Sequence, residues 1–201
     1  MAEAATVQLA GGAAERRGFL HFLKPATVRY AEGCRDLPEV IHLPAENKGG
    51  DQAPVRIFIG SDTAFWQAER VLVWSIKERR DPKRAYEIHI LKELKGFDRD
   101  GWPSPFAGYR FAVPSFAGGS GRALYLDVGG AFTADPAELF DQDLGEAALL
   151  EDPHRANALM VMDCARLAAH WPIERARLAG TLDAMEKAGA AVASPLPSAA
   201  A

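Results

Sequence analysis

Apolar residues gather along this chain in short runs that close on glycine or aspartate. Val55-Arg56-Ile57-Phe58-Ile59 ends in Gly60-Ser61-Asp62, and Ala123-Leu124-Tyr125-Leu126 ends in Asp127-Val128-Gly129-Gly130. Tyr86 to Leu91 and Ala158 to Met162 are runs of the same kind, the second closing on Asp163-Cys164. Runs of this length, with little polar alternation, predict strands buried on both faces. Between Ile59 and Tyr86 the period changes. Ala64, Ala68, Val71, Leu72, Ser75 and Ile76 recur at helical spacing, with Asp62 near the start. Lys77, Arg79 and Arg80 lie in the last turn, where cations complement the helix dipole, and Asp81-Pro82 ends it. Strand, helix and strand in that order predict a β-α-β unit, a parallel sheet and a right-handed crossover.

The rest of the chain is read by its punctuation. Lys95 to Tyr109 is a long loop with Gly96, Gly101, Pro103, Pro105 and Gly108 set among Phe97, Trp102 and Phe106. Gly118-Gly119-Ser120-Gly121 precedes its strand and is not followed by Lys-Ser/Thr, so it reads as a flexible connector and not as a phosphate loop. Asp135-Pro136-Ala137-Glu138-Leu139-Phe140 has proline in the first turn of a helix. Asp141 to Pro153 is acidic and expected to be solvated. A helix is expected from Cys164 to about Trp171. Beyond Pro172 a second is expected to about Lys187, with Leu178, Leu182 and Met185 on its apolar side and Glu174, Arg175 and Arg177 in solvent. The expected organisation is an N-terminal segment over 1–54 without a clear period, an α/β domain over 55–188, and a disordered Ala/Pro tail over 189–201. Within the first segment, Glu46 to Ala53 has the composition of a linker.

Composition narrows the partners. A chain of 201 residues suffices for one sizeable core. Its formal charge of −4 gives no overall attraction to nucleic acid or to an anionic membrane, and the one basic cluster, Lys77 to Arg84, is interrupted by acids and lacks interleaved aromatics. Cys34 and Cys164 are far apart and have no metal-ligand spacing, so a reducing cytoplasm is the expected location. Met1 to Ala14 carries Glu3 and lacks the basic start and apolar core of a leader, and no stretch approaches the roughly 20 apolar residues of a membrane span.

Three places carry candidate chemistry. Ligands of open α/β sheets collect outside the carboxyl ends of strands, where Asp127 stands; its carboxylate suits a metal, a ribose or a plain strand-ending turn. Gly60-Ser61-Asp62 lies at the mouth of a helix, where backbone N–H groups favour anions and a carboxylate suits a ribose hydroxyl or a uracil N–H; Ser and Asp are equally the preferred helix caps. Arg110 stands between Tyr109 and Phe111, either as a rigid fork for a phosphate or as a surface arginine with a buried stem.

The order of these segments resembles the retaining glycosyltransferases of family eight, the group that includes glycogenin and bacterial galactosyltransferases. The resemblance rests on Ile57-Phe58-Ile59-Gly60-Ser61-Asp62, on Pro105 to Phe111, on Gly121 to Asp127, on Asp135 to Phe140 and on Ala158 to Cys164, about half the chain. It implies a nucleotide-diphospho-sugar transferase (GT-A-like) fold, a mostly parallel central sheet flanked by helices and C-terminally shortened. It implies retaining transfer of a sugar from a UDP-sugar to an acceptor. Gly60, Ser61 and Asp62 would approach the nucleoside and Arg110 the sugar-diphosphate. Asp127 would be the first carboxylate of an Asp-x-Asp motif that holds a divalent cation, Mn2+ or Mg2+. Alternate strand residues point to one side, so both carboxylates of such a motif reach one ion. Here the second position is Gly129, which makes the motif degenerate, and the family's later His-Gly-Lys-Pro-Trp type region has no counterpart after Asp163. Two other readings fit the same residues. One is a catalytically degenerate nucleotide-sugar-binding or protein-interaction module of this fold; the other is an unrelated α/β binding module.

Overall fold

A computed structural model describes residues 30, 32–46, 52–152 and 158–196, together with the backbone of 7–9. In chain order its strands are β1 (Val7–Leu9), β2 (Glu39–Leu43), β3 (Val55–Gly60), β4 (Tyr86–Leu91), β5 (Arg122–Asp127), β6 (Gly130–Phe132), β7 (Leu149–Glu151), β8 (Leu159–Asp163) and β9 (Ala193–Pro195). Its α-helices are α1 (Trp66–Arg79), α2 (Val113–Phe116), α3 (Pro136–Phe140), α4 (Cys164–Ala168), α5 (Ile173–Ala176) and α6 (Leu182–Ala190), with 3-10 turns at Thr63–Phe65 and Tyr109–Ala112. Seven strands form one sheet in the order β2-β4-β3-β5-β8-β7-β9, while β1 and β6 pair separately. The centre, β4-β3-β5, is parallel, as the β-α-β reading requires. Antiparallel β2 and β8 flank it, and the sheet as a whole is mixed: β4–β3, β3–β5 and β7–β9 are parallel, and β2–β4, β5–β8 and β8–β7 antiparallel.

The unbroken apolar runs follow from burial on both faces. Val55, Ile57 and Ile59 of β3 join Ile88, Ile90, Leu124 and Leu126 beneath Leu72 and Ile76 of α1 and Phe140 of α3. Phe58, Tyr125, Met160 and Met162 point the other way, into a layer built by Phe97, Trp102, Phe106, Tyr109, Phe111, Trp171 and Met185. The long loop is held by its own aromatic side chains: Phe97 and Trp102 both meet the Tyr109 ring edge-on, at 5.1 and 5.2 Å, and the Tyr109 hydroxyl accepts the Leu94 N–H.

Several expectations need correction. The buried face of α1 is Leu72, Ser75 and Ile76; Val71 is exposed, and Ala64 precedes the helix and is exposed as well. Ser75 is inside because its hydroxyl donates to the Leu72 carbonyl and accepts the Phe132 N–H, which ties β6 to the helix. The Gly118–Gly121 connector is a clamped turn: Arg56 of β3 donates to the carbonyls of Ala117, Ser120 and Arg122 at 2.8, 2.5 and 3.0 Å. The acidic stretch hides β7, and its Asp141 pairs with Arg84 at 2.5 Å. The helix expected to reach Trp171 stops at Ala168, and the one expected beyond Pro172 is two, α5 and α6. Leu178 lies between those two and is exposed, while Met185 is buried. The tail expected from 189 is ordered through Leu196, since β9 pairs with β7 and Leu196 is buried. The sheet also reaches back into the first segment, with β2 as its edge strand. The leader, linker and tail readings at 1–6, 10–29, 47–51 and 197–201 lie outside the described residues. Among the described residues no helix is long and apolar enough to cross a membrane.

Candidate functional site

The parallel register brings the predicted residues to one edge of the sheet. Gly60, last in β3, stands opposite Leu91 of β4 and opposite Asp127 of β5. Two residues before Asp127, and therefore on its side of the strand, Tyr125 donates its hydroxyl to the Asp127 carboxylate at 2.6 Å. A side chain at position 60 would collide with this pair, because a Cβ there would lie 2.4 Å from the Tyr125 hydroxyl and 3.2 Å from Asp127 Oδ1. Glycine at 60 is thus a packing requirement. Burial pushes the Asp127 carboxyl up to about 6, although the Tyr125 hydrogen bond and the Arg110 charge both favour its ionised form. The Tyr125 phenol is held neutral, mainly by its own burial and then by the adjacent carboxylate.

Arg110 lies within the protein, 4% exposed, which removes its reading as a surface arginine. Its guanidinium rests over the Phe111 ring, 4.7 Å from the centroid, and donates to Glu186 of α6. Among the described residues no partner meets its buried Nε. Glu186 reaches it because α6 is anchored one residue earlier, where Trp171 donates its indole N–H to the Met185 carbonyl at 2.9 Å. The cation that resembles a phosphate fork therefore already carries a carboxylate.

Ser61 and Asp62 sit beside this group on different terms. Ser61 is fully buried, its N–H bonded to the Leu91 carbonyl and its hydroxyl donated to Glu69 at 2.6 Å; Lys92 pairs with the same Glu69 at 2.9 Å. Both Ser61 donors are used inside the fold. Asp62 caps the 3-10 turn, Oδ1 accepting the Ala64 N–H, and its other oxygen lies 4.0 Å from the guanidinium of Arg99. Thr63 donates to Glu93 at the same rim. Past Arg99 opens a cleft of about 540 Å3, lined also by Tyr30, Glu32, Asp98, Asp100 and Arg177; neither Gly60 nor Asp127 lines it.

Sequence reasoning missed Tyr125, Lys92, Arg99 and Glu186. Tyr125 was detectable, since strand periodicity alone sets it beside Asp127. Arg99 and Glu186 come from a loop and a distant helix and left no local signal.

A cation held by the protein does not fit these residues. Asp127 offers one carboxylate, already hydrogen-bonded to Tyr125, and among the described residues no three His, Cys, Asp or Glu side chains converge on a common point. Gly129 supplies no ligand, and its φ of +123° is a conformation L side chains rarely adopt.

No protein-family model and no curated protein sequence matches the chain. Its fold matches solved glycosyltransferases. The apo structure of the bifunctional glycosyltransferase WbbM superposes with a TM-score of 0.54 at 14% identity, over 77% of this chain and 40% of that one. The glycosyltransferase GlyE of Streptococcus pneumoniae gives 0.50 at 14% identity, over 73% and 46%. The galactosyltransferase LgtC, solved with donor and acceptor sugar analogues, gives 0.50 at 12% identity, over 70% and 73%. The chain spans less than half the length of the first two. At these identities it is the fold that is shared, a mixed α/β sheet of the GT-A-like kind.

Proposed function

We propose that this chain is a glycosyltransferase-like protein that takes a UDP-sugar at the carboxyl edge of β3, β4 and β5 and transfers the sugar with retention to an acceptor. The observation that carries the reading is the meeting of Gly60, Asp127 and Tyr125 at one strand edge of a glycosyltransferase sheet, with the Arg110 charge reaching the same carboxylate. Asp62 accepts from a ribose hydroxyl or the uracil N–H, while Gly60 leaves room for the Tyr125 hydroxyl that holds Asp127 beside it. In the transfer, the bond from sugar C1 to the diphosphate oxygen breaks, a bond from C1 to an acceptor hydroxyl oxygen forms on the same face, UDP leaves with the electron pair, and the acceptor proton passes to the departing diphosphate. Fixed cations oriented toward that leaving charge are the means by which a site without a metal stabilises it. Arg110 and Arg99 are the side chains suited to the role, provided that Glu186 releases the first.

The degenerate carboxylate motif favours a second reading. With Gly129 in place of the second acid, the same site can retain nucleotide-sugar binding without turnover. Calorimetric titration of the purified chain with UDP-sugars, with and without manganese, followed by an assay of donor consumption, separates the two. Metal-independent binding with transfer is the expected result. Binding without hydrolysis or transfer selects the second reading, and no binding under either condition overturns both.

A further inference from the structure

The outer face of α1 is aromatic and cationic where a surface helix is ordinarily polar. Of the six large hydrophobic side chains that stand exposed among the described residues, three lie on α1, Trp66, Val71 and Trp74, the two tryptophans 50% and 60% exposed; Phe65, just before the helix, packs edge-on against Phe106. Trp66, Arg70 and Trp74 follow one another at four-residue spacing and make a single stripe along the helix. The Arg70 guanidinium lies over the Trp66 ring, 5.8 Å from its centroid. One turn beyond Trp74 the stripe runs into Lys77 and Glu78, both exposed.

The exposed charge of the helix is positive on balance. Glu69, on its inner side, is neutralised by Lys92 at 2.9 Å. Between residues 66 and 83 the exposed charges are Arg70, Lys77, Arg79 and Lys83 against Glu78 and Asp81, a local positive excess on a chain of net charge −4. Tryptophans interleaved with arginine and lysine match the boundary between lipid headgroups and acyl chains: the indoles sit at headgroup depth and the cations meet anionic phosphates. A protein partner would also cover apolar area, and interfaces between proteins are likewise rich in Trp and Arg; the local positive excess, with Arg70 stacked on Trp66, is what favours anionic headgroups.

We propose that the outer face of α1 docks this protein on the surface of an anionic lipid bilayer. Trp66, Val71 and Trp74 enter the headgroup zone, and Arg70 and Lys77 pair with lipid phosphates. The helix has 14 residues, about 21 Å, so it lies along the surface and does not cross it. The proposal is independent of the sugar-transfer reading.

The native tryptophans make the test direct, because the other two, Trp102 and Trp171, are buried. The full chain is mixed with vesicles of phosphatidylcholine, with and without phosphatidylglycerol. With the anionic lipid the protein co-sediments, its tryptophan emission moves to the blue and brominated lipid quenches it, and all three effects weaken as salt is added. Trp66→Ser combined with Trp74→Ser, both at exposed positions, lowers partitioning by about tenfold or more. Arg70→Gln combined with Lys77→Gln abolishes the preference for the anionic lipid, and circular dichroism confirms that both variants are folded. Failure to bind anionic vesicles overturns the proposal, as does equal partitioning of wild type and the tryptophan variant. A concentration-dependent dimer in sedimentation velocity that disappears in the tryptophan variant overturns it in favour of a second copy of the chain.

Discussion

Replacing Asp127 by asparagine isolates the cost of keeping a carboxylate at the strand edge. The Asp127 carboxyl ordinarily titrates near 3.8 and in the fold is pushed up to about 6, with burial as the largest cause. The folded protein therefore holds this proton more tightly than the unfolded chain. Below 3.8 both states are protonated and nothing is lost; between 3.8 and about 6 stability falls as pH rises; above about 6 the full penalty is present. A shift of about two units corresponds to about 3 kcal/mol at 1.36 kcal/mol per unit. Asp127 is only partly buried, so solvent screening brings the expected figure to about 1–3 kcal/mol. Asparagine keeps an oxygen that can accept the Tyr125 hydroxyl and removes the charge. Urea unfolding across the pH range should show Asp127→Asn more stable than wild type near neutrality, with the two curves converging toward pH 4. A variant that is equally or less stable near neutrality would refute this account of the carboxylate.

Three further outcomes follow from the same geometry. Gly60→Ala drives a Cβ against the Tyr125 hydroxyl and should cost roughly 1–3 kcal/mol in urea unfolding; a neutral result would show that the pair can move aside. Gly129→Asp restores the missing acid on paper but sets an L side chain at φ +123°, at a cost of roughly 1–3 kcal/mol. Its manganese calorimetry is expected to stay flat, and tight manganese binding at undiminished stability would show that the turn can refold around an ion. Arg110→Ala removes a buried guanidinium from Phe111 and Glu186 and should lower stability by about 2–3 kcal/mol while weakening UDP-sugar binding; unchanged affinity would leave Arg110 a purely structural role.

The parts of the fold with strong local patterns were legible. Val55–Gly60, Tyr86–Leu91 and the strand ending at Asp127 are apolar runs bounded by turn residues, and Asp135-Pro136 opens a helix as its capping chemistry requires. What escaped was set by tertiary contact. β2, β7 and β9 are short strands on the outer parts of the sheet whose partners, not their periods, make them strands. The exposed side of α1 misled because Val71 is apolar without being inward, a surface whose composition follows something other than the core. At the site, Asp127 and Gly60 were readable from strand ends, whereas the Arg110–Glu186 pair joins residues 76 positions apart and depends on how α6 docks against Trp171.

The clamp made by Arg56 bears on the opposite end of its strand. Strand side chains alternate, so a slip of one residue between β3 and β5 would turn Asp127 to the other face and bring a different residue opposite Gly60. Arg56 grips the three carbonyls at the entry to β5, and from there the pairing runs through Ile57–Leu124 and Ile59–Leu126 to Gly60–Asp127. The location of the carboxylate is thus decided at the amino end of the sheet, one strand length from where it stands. A change at Arg56 would be felt first as a misplaced acid and only second as a lost hydrogen bond.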